Sequence, residues 1–341
     1  MSHRFSIAIA IVLMISSVTN AQSARDQFLK LIDRPRVDPS PKVDAPKTVE
    51  GFSEYHFAFF SEAGQRVPGL LIKQADLDGR RPVVIVLHGT GGSKESERPL
   101  LHALASSGFI AVAIDGRYHG ERSGSGKGSD AYQDAILRAY REQKEHPFFY
   151  DTVWDVMRLI DYLQMRDDVD ADRIGLMGIS KGGIETYLTA AVDLRVACAV
   201  PCIGVQSFRW ALEHDAWQSR IGTIQRAFDA AAKDASVDHP DAAFLQSFYD
   251  RVAPGIAGRF DGPAMLPLIA PRPLLVINGD SDARTPVPGL KECTDAAAKA
   301  YHDARAEDHF VLRLEPHTAH KVTADSEQAA VEWFVRWLKP N

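Results

Sequence analysis

Cysteine and an excess of basic charge are both missing from this sequence. Only 3 of its 341 residues are cysteine, too few for a scaffold held together by disulfides. Lys and Arg together number 39 against 45 Asp and Glu, a net charge of −6, and no basic segment stands out. Nucleic acid is therefore not an expected partner. The hydrophobic share of 45% and the charged share of 25% are ordinary for a folded globular chain and exclude a disordered or coiled-coil protein.

Apolar runs of the length that crosses a bilayer are missing as well, so no stable membrane span is expected. The N-terminal apolar run Phe5–Met14 is short, follows a polar start and precedes several small residues. This layout is typical of a signal peptide over residues 1–21, cut after Ala21, with a permanent N-terminal anchor as the alternative interpretation. The expected location is therefore secreted or periplasmic.

Export makes a disulfide chemically possible. Cys198 and Cys202 are close enough in sequence to pair only if the chain turns between them, and Pro201 could help it turn. The favoured interpretation is that both are small buried residues.

Strand and helix patterns alternate along most of the chain. Residues 22–50 are polar and rich in proline, which predicts an arm lying over the domain. A hairpin is predicted over Glu54–Phe60 and Val67–Lys73. Strands are predicted over Pro82–Leu87, Phe109–Ile114, Arg173–Ile179, Val196–Val200, Pro273–Asn278 and Phe310–Glu315, with helices between most of them. The first three are apolar runs predicted to be buried.

This alternation predicts an α/β fold, a mostly parallel sheet with helices on both faces, in one domain over residues 51–341. Residues 206–270 carry helical stretches without a strand between them. They predict a helical insertion before the last strands, placed as a cap over the carboxyl edge of the sheet.

The strongest local signal for chemistry is the pattern G-x-S-x-G at residues 178–182. It follows a predicted buried strand and opens a predicted helix, so Ser180 would stand on a sharp strand-to-helix turn at the carboxyl edge of the sheet. Glycine is expected at 178 and 182 because a side chain would collide in so tight a turn. Ser180 is the predicted nucleophile; the alternative is a glycine-rich helix start with Ser180 as its N-cap.

A serine hydroxyl needs a base, and the base needs an acid that orients it. Asp280 and Asp282 follow the predicted strand that ends at Asn278, and His317 and His320 follow the last one. Asp282 is the favoured acid, since Asp280 directly follows the strand and suits a turn. His320 is the favoured base because it lies directly before the terminal helix. The His-x-x-His spacing also raises the possibility of a metal site, but the H-E-x-x-H helix context is absent, so no metal is predicted.

An oxyanion hole is predicted from the N–H groups of Thr90 and Lys181. Thr90 lies in the glycine-rich segment Leu87–Ser93 after the first buried strand, and Lys181 follows the nucleophile. The alternative, a phosphate loop, lacks its sequence pattern. Arg117 and Trp210 are the candidate substrate contacts. The segment that carries Arg117 is interpreted as mainly structural, and core packing is the favoured interpretation for Trp210, which would share one helix face with Trp217.

These motifs together resemble the α/β-hydrolase family over about residues 50–340. The similarity is greatest to the branch of dienelactone hydrolases, acetyl xylan esterases and the catalytic domain of prolyl oligopeptidases. In that branch a Gly-x-x-Asp-x-x-x-Pro segment surrounds the acid, as Gly279 and Pro286 here bracket Asp282, and Gly-His is common where this sequence has Ala319-His320. The resemblance implies ester or amide hydrolysis without a metal or organic cofactor.

The leading hypothesis is thus a secreted serine esterase acting on a small-molecule or carbohydrate ester with a short acyl group. Two alternatives remain open at this stage. One is a catalytically inactive binding protein that keeps the hydrolase shell, and the other is a peptidase acting on short peptides. The sequence does not indicate the oligomeric state.

Overall fold

A mostly parallel sheet forms the centre of the protein. The structure is a computed structural model that describes residues 24–76, 78–124, 126 and 128–339, so the predicted signal peptide over residues 1–21 lies outside the described residues. The strands are β1 (Lys42–Val43), β2 (Lys47–Val49), β3 (Phe52–Glu62), β4 (Gln65–Gln74), β5 (Arg81–Leu87), β6 (Ile110–Ile114), β7 (Val169–Ile179), β8 (Val196–Cys202), β9 (Leu274–Gly279) and β10 (Phe310–Glu315).

Their order across the sheet is β1-β3-β4-β6-β5-β7-β8-β9-β10, with β2 paired to β3. The run from β6 to β10 is parallel, while β3 and β4 pair antiparallel with each other and β4 pairs antiparallel with β6. The predicted hairpin and the predicted parallel sheet are therefore confirmed. The carboxyl ends of β5, β7, β9 and β10 point to one edge of the sheet. We use the name catalytic edge for this edge and the loops that follow β5, β6, β7, β9 and β10.

Helices cover both faces of the sheet. They are α1 (24–32), α2 (Arg98–Ser106), α3 (Asp130–Glu142), α4 (Tyr150–Gln164), α5 (Lys181–Val192), α6 (Phe208–Glu213), α7 (Gln225–Asp234), α8 (Ala242–Val252), α9 (Gly262–Met265), α10 (Val287–Asp303) and α11 (Ala324–Leu338). Short 3-10 turns span Lys94–Glu97, Gly120–Arg122, Trp217–Arg220, Leu266–Ile269 and Glu307–His309. None of the helices within the described residues is both long and apolar enough to cross a membrane.

Alternate side chains of each central strand enter different cores. Val83 and Ile85 of β5 pack with α4 and α5 on one face, whereas Val84 and Val86 pack with α2 and α11 on the other. This is the burial pattern of a strand with both faces covered, and it explains why the strands show continuous apolar runs in the sequence.

The N-terminal segment is more ordered than a proline-rich arm. Phe28 and Ile32 of α1 are fully buried in the core shared with α4, and β1 and β2 extend the sheet beyond β3. The segment therefore contributes a helix and two strands to the domain. Its strands were not predictable because both are very short and fully exposed, so they lack a hydrophobic alternation.

Cys198 and Cys202 both lie within β8, and the strand runs straight through Pro201. Without a turn between them the two thiols are not bonded, and Cys293 is free as well. All three are buried, and burial raises the pKa of the Cys198 and Cys202 thiols above its ordinary value. They pack as small apolar groups.

Candidate active site

Ser180 occupies the sharp turn between β7 and α5. Its backbone has φ 57° and ψ −111°, a strained conformation for a residue with a side chain, and its N–H donates to the carbonyl of Cys202 at 2.9 Å. A Cβ at Gly178 would overlap the carbonyl of Gly182, and a Cβ at Gly182 would overlap the carbonyl of Leu87. Both glycines are therefore required by close backbone approach, and the turn presents the half-buried Ser180 hydroxyl at the catalytic edge.

A continuous hydrogen-bond chain joins three of the predicted residues. The Ser180 Oγ lies 2.8 Å from Nε2 of His320, and Nδ1 of His320 lies 2.7 Å from Oδ2 of Asp282. Residues from the ends of three different strands thus meet at hydrogen-bond distance. In this arrangement an imidazole can accept the hydroxyl proton while a carboxylate fixes its tautomer and balances its charge.

The loop after β9 is built around the carboxylate of Asp282. Oδ1 accepts the N–H of Arg284 at 2.8 Å and of Thr285 at 3.3 Å, and Oδ2 lies 2.6 Å from the Thr285 hydroxyl. Asp282 is only 3% exposed. Burial alone would raise its pKa, but hydrogen bonds from His320 and Thr285 together hold the pKa below its usual value. The side chain is therefore held as a buried anion directed at His320.

Asp280 and His317, the alternatives to Asp282 and His320, lie outside this hydrogen-bond chain. Asp280 is exposed, its N–H donates to the carbonyl of Glu315, and its carboxylate accepts the hydroxyl of Ser281. His317 is exposed at φ 53° in the turn that follows β10. Both residues shape turns, which is the role expected from the sequence for Asp280.

The glycine-rich loop after β5 lies against the nucleophile turn. A Cβ at Gly89 would come 3.4 Å from the carbonyl oxygen of Ile179 and 3.7 Å from Cβ of Ser180. Thr90, the next residue, lines the same cavity as Ser180 and Lys181. No backbone hydrogen bond is found for the N–H of Thr90 or of Lys181 within the described residues. Both donors are therefore available to a ligand oxygen.

His88 fixes that loop and takes no part in proton transfer. Its Nε2 accepts the N–H of Gly116 at 3.0 Å, and its Nδ1 lies 2.8 Å from the carbonyl of Gly89. Burial, with the nearby charge of Lys181, lowers the pKa of His88 to about 3. The ring is neutral at ordinary pH and ties the loops after β5 and β6 together.

Two spaces meet at Ser180. A small cavity of about 50 Å³ and a wider one of about 290 Å³ share Thr90, Ser180 and His320. Aromatic and aliphatic side chains line one part of the small cavity, namely Phe148, Phe149, Ile184, Ile203 and Phe208. Polar and charged side chains line the rest, among them Gln206, Ser219, Arg220, Thr223 and Arg284.

Arg117, a candidate substrate contact, lies in an ion-pair network away from the two spaces at Ser180. Its guanidinium is buried, with Nε 2.8 Å and Nη2 2.9 Å from the carboxylate of Asp155, and it also pairs with Glu62. It lines neither space at Ser180. From the sequence, an arginine that follows a strand can be expected to reach a ligand. Here its guanidinium forms ion pairs with acids from β3 and α4 instead.

Trp210 is not among the residues that line these two spaces, and its contact with substrate stays a prediction. The ring packs on Gly289 and stacks on His214, and Phe208 lines the cavity instead. The helix that carries Trp210 ends at Glu213 and does not continue to Trp217. Asp215 has a left-handed φ of 52°, and a separate 3-10 turn begins at Trp217. Trp210 and Trp217 therefore do not share a helix face.

Arg220 and Arg284 are the charged cavity residues that were not predicted from the sequence. Arg284 lies between Asp282 and Pro286, so the motif around the acid was a usable signal for it. Nothing in the local pattern distinguished Arg220, whose position depends on how the insertion folds.

A profile of the acetyl xylan esterase (AXE1) family matches residues 31–220, more than half of the chain. The protein belongs to this family. It is therefore a serine-type carboxylic ester hydrolase, as the sequence predicted. The matched region ends within the insertion and includes Ser180.

Curated relatives support the family at low identity. The putative hydrolase YtaP of Bacillus subtilis is 25% identical over 287 residues, covering 80% of this esterase and 84% of YtaP. The putative esterase YitV of the same organism is 24% identical over 272 residues, covering 79% and 94% of the two chains.

Solved structures confirm the fold. Acetyl xylan esterase 1 from Thermoanaerobacterium sp. superposes with a TM-score of 0.66 at 19% identity, over 94% of this esterase and 93% of that chain. Glucuronoyl esterase from Solibacter usitatus gives a TM-score of 0.63 at 15% identity, over 92% of each chain. The predicted α/β-hydrolase fold is thereby confirmed, and identities this low show the fold alone.

Proposed function

We propose that the protein is an exported esterase that removes short acyl groups from small alcohols or carbohydrates through Ser180, His320 and Asp282. The observation that carries the proposal is the hydrogen-bond chain from Ser180 Oγ through His320 to Asp282, with steps of 2.8 and 2.7 Å. The family is described as acetyl xylan esterase, and this supports a carbohydrate ester as the substrate class.

In the first half of the reaction, Nε2 of His320 takes the Ser180 proton as Oγ attacks the ester carbonyl. The new C–O bond leaves a negative oxygen, and the N–H groups of Thr90 and Lys181 would donate hydrogen bonds to it. Collapse breaks the bond to the alcohol, and His320 passes the proton to the leaving oxygen. Asp282 stays ionised and stabilises the imidazolium.

In the second half, water replaces the alcohol. His320 removes its proton as the water oxygen attacks the acyl-enzyme, and then returns the proton to Ser180 as the acid leaves. One water is consumed, and one acid and one alcohol are released.

The size of the site supports a short acyl group. The smaller of the two spaces that meet at Ser180 is about 50 Å³, room for roughly three or four water-sized groups. A larger alcohol would occupy the wider space of about 290 Å³. Export rests on the predicted signal peptide over residues 1–21, and fractionation of cells that express the full chain would test it.

The direct test compares wild type with Ser180→Ala on p-nitrophenyl acetate, butyrate and octanoate and on acetylated xylan. We expect wild type to prefer the shorter acyl chains and the variant to lose on the order of 10⁴-fold or more in kcat. Ser281→Ala, which removes an exposed hydroxyl of the β9 loop, is the matched control and should keep wild-type activity. Wild-type rates in Ser180→Ala would contradict the assignment.

A further inference from the structure

Arg220 brings a buried positive charge to the cavity at Ser180. It ends the 3-10 turn Trp217–Arg220 in the insertion, is 8% exposed and lines the small cavity. Burial lowers the pKa of its guanidinium to about 10, so the group remains charged at neutral pH.

The guanidinium is only partly engaged. Its Nε donates to Oγ of Ser219 at 2.9 Å, and the group lies 5.7 Å from the centre of the Phe208 ring. The buried Nη2 has no hydrogen-bond partner, and no carboxylate of the described residues lies within 4 Å.

The two carboxylates that act on the charge of Arg220 already accept hydrogen bonds from other groups. Asp282 and Asp261 act on Arg220 only at longer range. The carboxylate of Asp282 holds His320, and that of Asp261 accepts the N–H groups of Phe208, Arg209 and Gly262. Neither acid can turn to Arg220 without giving up these bonds.

A second polar group of the cavity wall is also unpartnered. Oε1 of Gln206 is buried without a hydrogen bond, and the residue is 4% exposed. An amide can offer an acceptor or, after rotation, two donors. Leaving a charge and an amide buried and unpaired costs free energy, which a ligand that pairs with them would recover.

In the binding mode proposed above, the acyl group lies in the smaller space, and this sets which part of the ester would meet Arg220. The small cavity, which Arg220 lines, has room for a short acyl tail, and the wider space, which Arg220 does not line, suits the alcohol. A planar guanidinium favours a carboxylate, because two parallel hydrogen bonds fit that geometry.

We propose that the preferred acyl group is a short dicarboxylic half-ester, of malonyl or succinyl size, whose free carboxylate pairs with Arg220 beside Gln206. This inference rests on the proposed function and names its substrate class. Hydrolysis proceeds as above and releases the free dicarboxylate and the alcohol, with one water consumed. Arg220 binds the distal carboxylate and does not exchange protons.

The test uses two esters of the same sugar alcohol, methyl 6-O-malonyl-glucoside and methyl 6-O-isovaleryl-glucoside. The two acyl groups have the same number of non-hydrogen atoms and the same branching, and only malonyl carries a charge. Alcohol release is followed by chromatography and corrected for the rate in Ser180→Ala. Wild type should show a kcat/KM roughly 10- to 100-fold higher for the malonyl ester, the range of a charge-assisted hydrogen bond.

Arg220→Met should abolish that preference while keeping kcat/KM for the isovaleryl ester within about threefold of wild type, and Arg220→Lys should restore part of the preference. The matched control is Arg226→Met, which removes an exposed arginine of the same insertion and should leave both values unchanged.

Hydrolysis of both esters by wild type without a preference overturns the inference and leaves the proposed function standing. Equal loss on both esters in an Arg220→Met variant that unfolds at the wild-type urea concentration also overturns it, because Arg220 would then not discriminate between the acyl groups. Absence of Ser180-dependent hydrolysis of any ester contradicts the proposed function itself. Absence of the malonyl preference in wild type overturns the inference whether or not the Arg220 variants fold.

Discussion

The catalytic edge and the insertion over residues 206–270 hold buried arginines in opposite ways. Arg117, after β6, makes two hydrogen bonds to Asp155 and pairs with Glu62. Arg220, in the insertion, has a buried Nη2 without a partner. The difference teaches that an arginine near a site is structural when acids of its own chain engage it, and is available to a ligand when they do not.

The largest expected effect tests whether the chemistry belongs to the catalytic edge. Asp282→Asn should lower kcat by about 10³- to 10⁴-fold, because an amide cannot stabilise the imidazolium and favours the wrong tautomer of His320. The measurement is steady-state kinetics on a p-nitrophenyl ester.

Asp280→Asn is the matched control for that change, since it alters an exposed acid two residues away. It should retain wild-type kcat. Equal and small losses in the two variants would remove Asp282 from the mechanism.

The second prediction compares the stability of the two regions directly. Arg117→Met leaves the fully buried Asp155 with Arg122 as its remaining charged partner among the described residues, so we expect the free energy of unfolding to fall by about 3 kcal/mol. Arg220→Met leaves no carboxylate unpaired and should change it by less than about 1 kcal/mol. Urea unfolding of both variants measures the difference between their free energies of unfolding. Equal destabilisation would mean that the two arginines contribute to stability in the same way.

The third prediction is a pH dependence of stability that arises at the catalytic edge. The pKa of His88 is about 3 in the folded protein, and an unfolded histidine titrates near 6.5. Between these values the unfolded chain binds a proton that the folded chain does not, so His88 makes the protein less stable as pH falls through this window.

His88→Gln should therefore make the pH dependence of unfolding shallower by up to about 1.4 kcal/mol per pH unit. Arg220→Met should not change that slope, because Arg220 stays protonated in both states over this range. Unfolding curves at pH 4 to 7 would show the difference. A slope unchanged in His88→Gln would mean that the folded protein protonates this ring.

Local sequence was enough to locate the catalytic edge. A strand, a glycine-tight turn and a helix start lie within a few residues around Ser180, and the acid and the base follow strand ends where the topology brings them together. The choice of Asp282 over Asp280 depended on chain order and turn chemistry, which are also local.

The insertion was not predictable in the same way. Helical periodicity suggested one continuous face for Trp210 and Trp217, but the chain leaves the helix after Glu213 and turns at Asp215. Trp210, before that turn, does not line the cavity, whereas Arg220, after it, does. Which of these side chains reaches the site depends on contacts with distant residues, and no short motif encodes them.

The most direct test of Ser180 as the nucleophile is labelling with a fluorophosphonate, followed by mass spectrometry of the peptides. We predict a single adduct, on Ser180, and much slower labelling in His320→Gln, because only a hydroxyl activated by the imidazole reacts quickly. An esterase that hydrolyses esters while Ser180 stays unlabelled, or that labels equally fast without His320, would contradict this assignment.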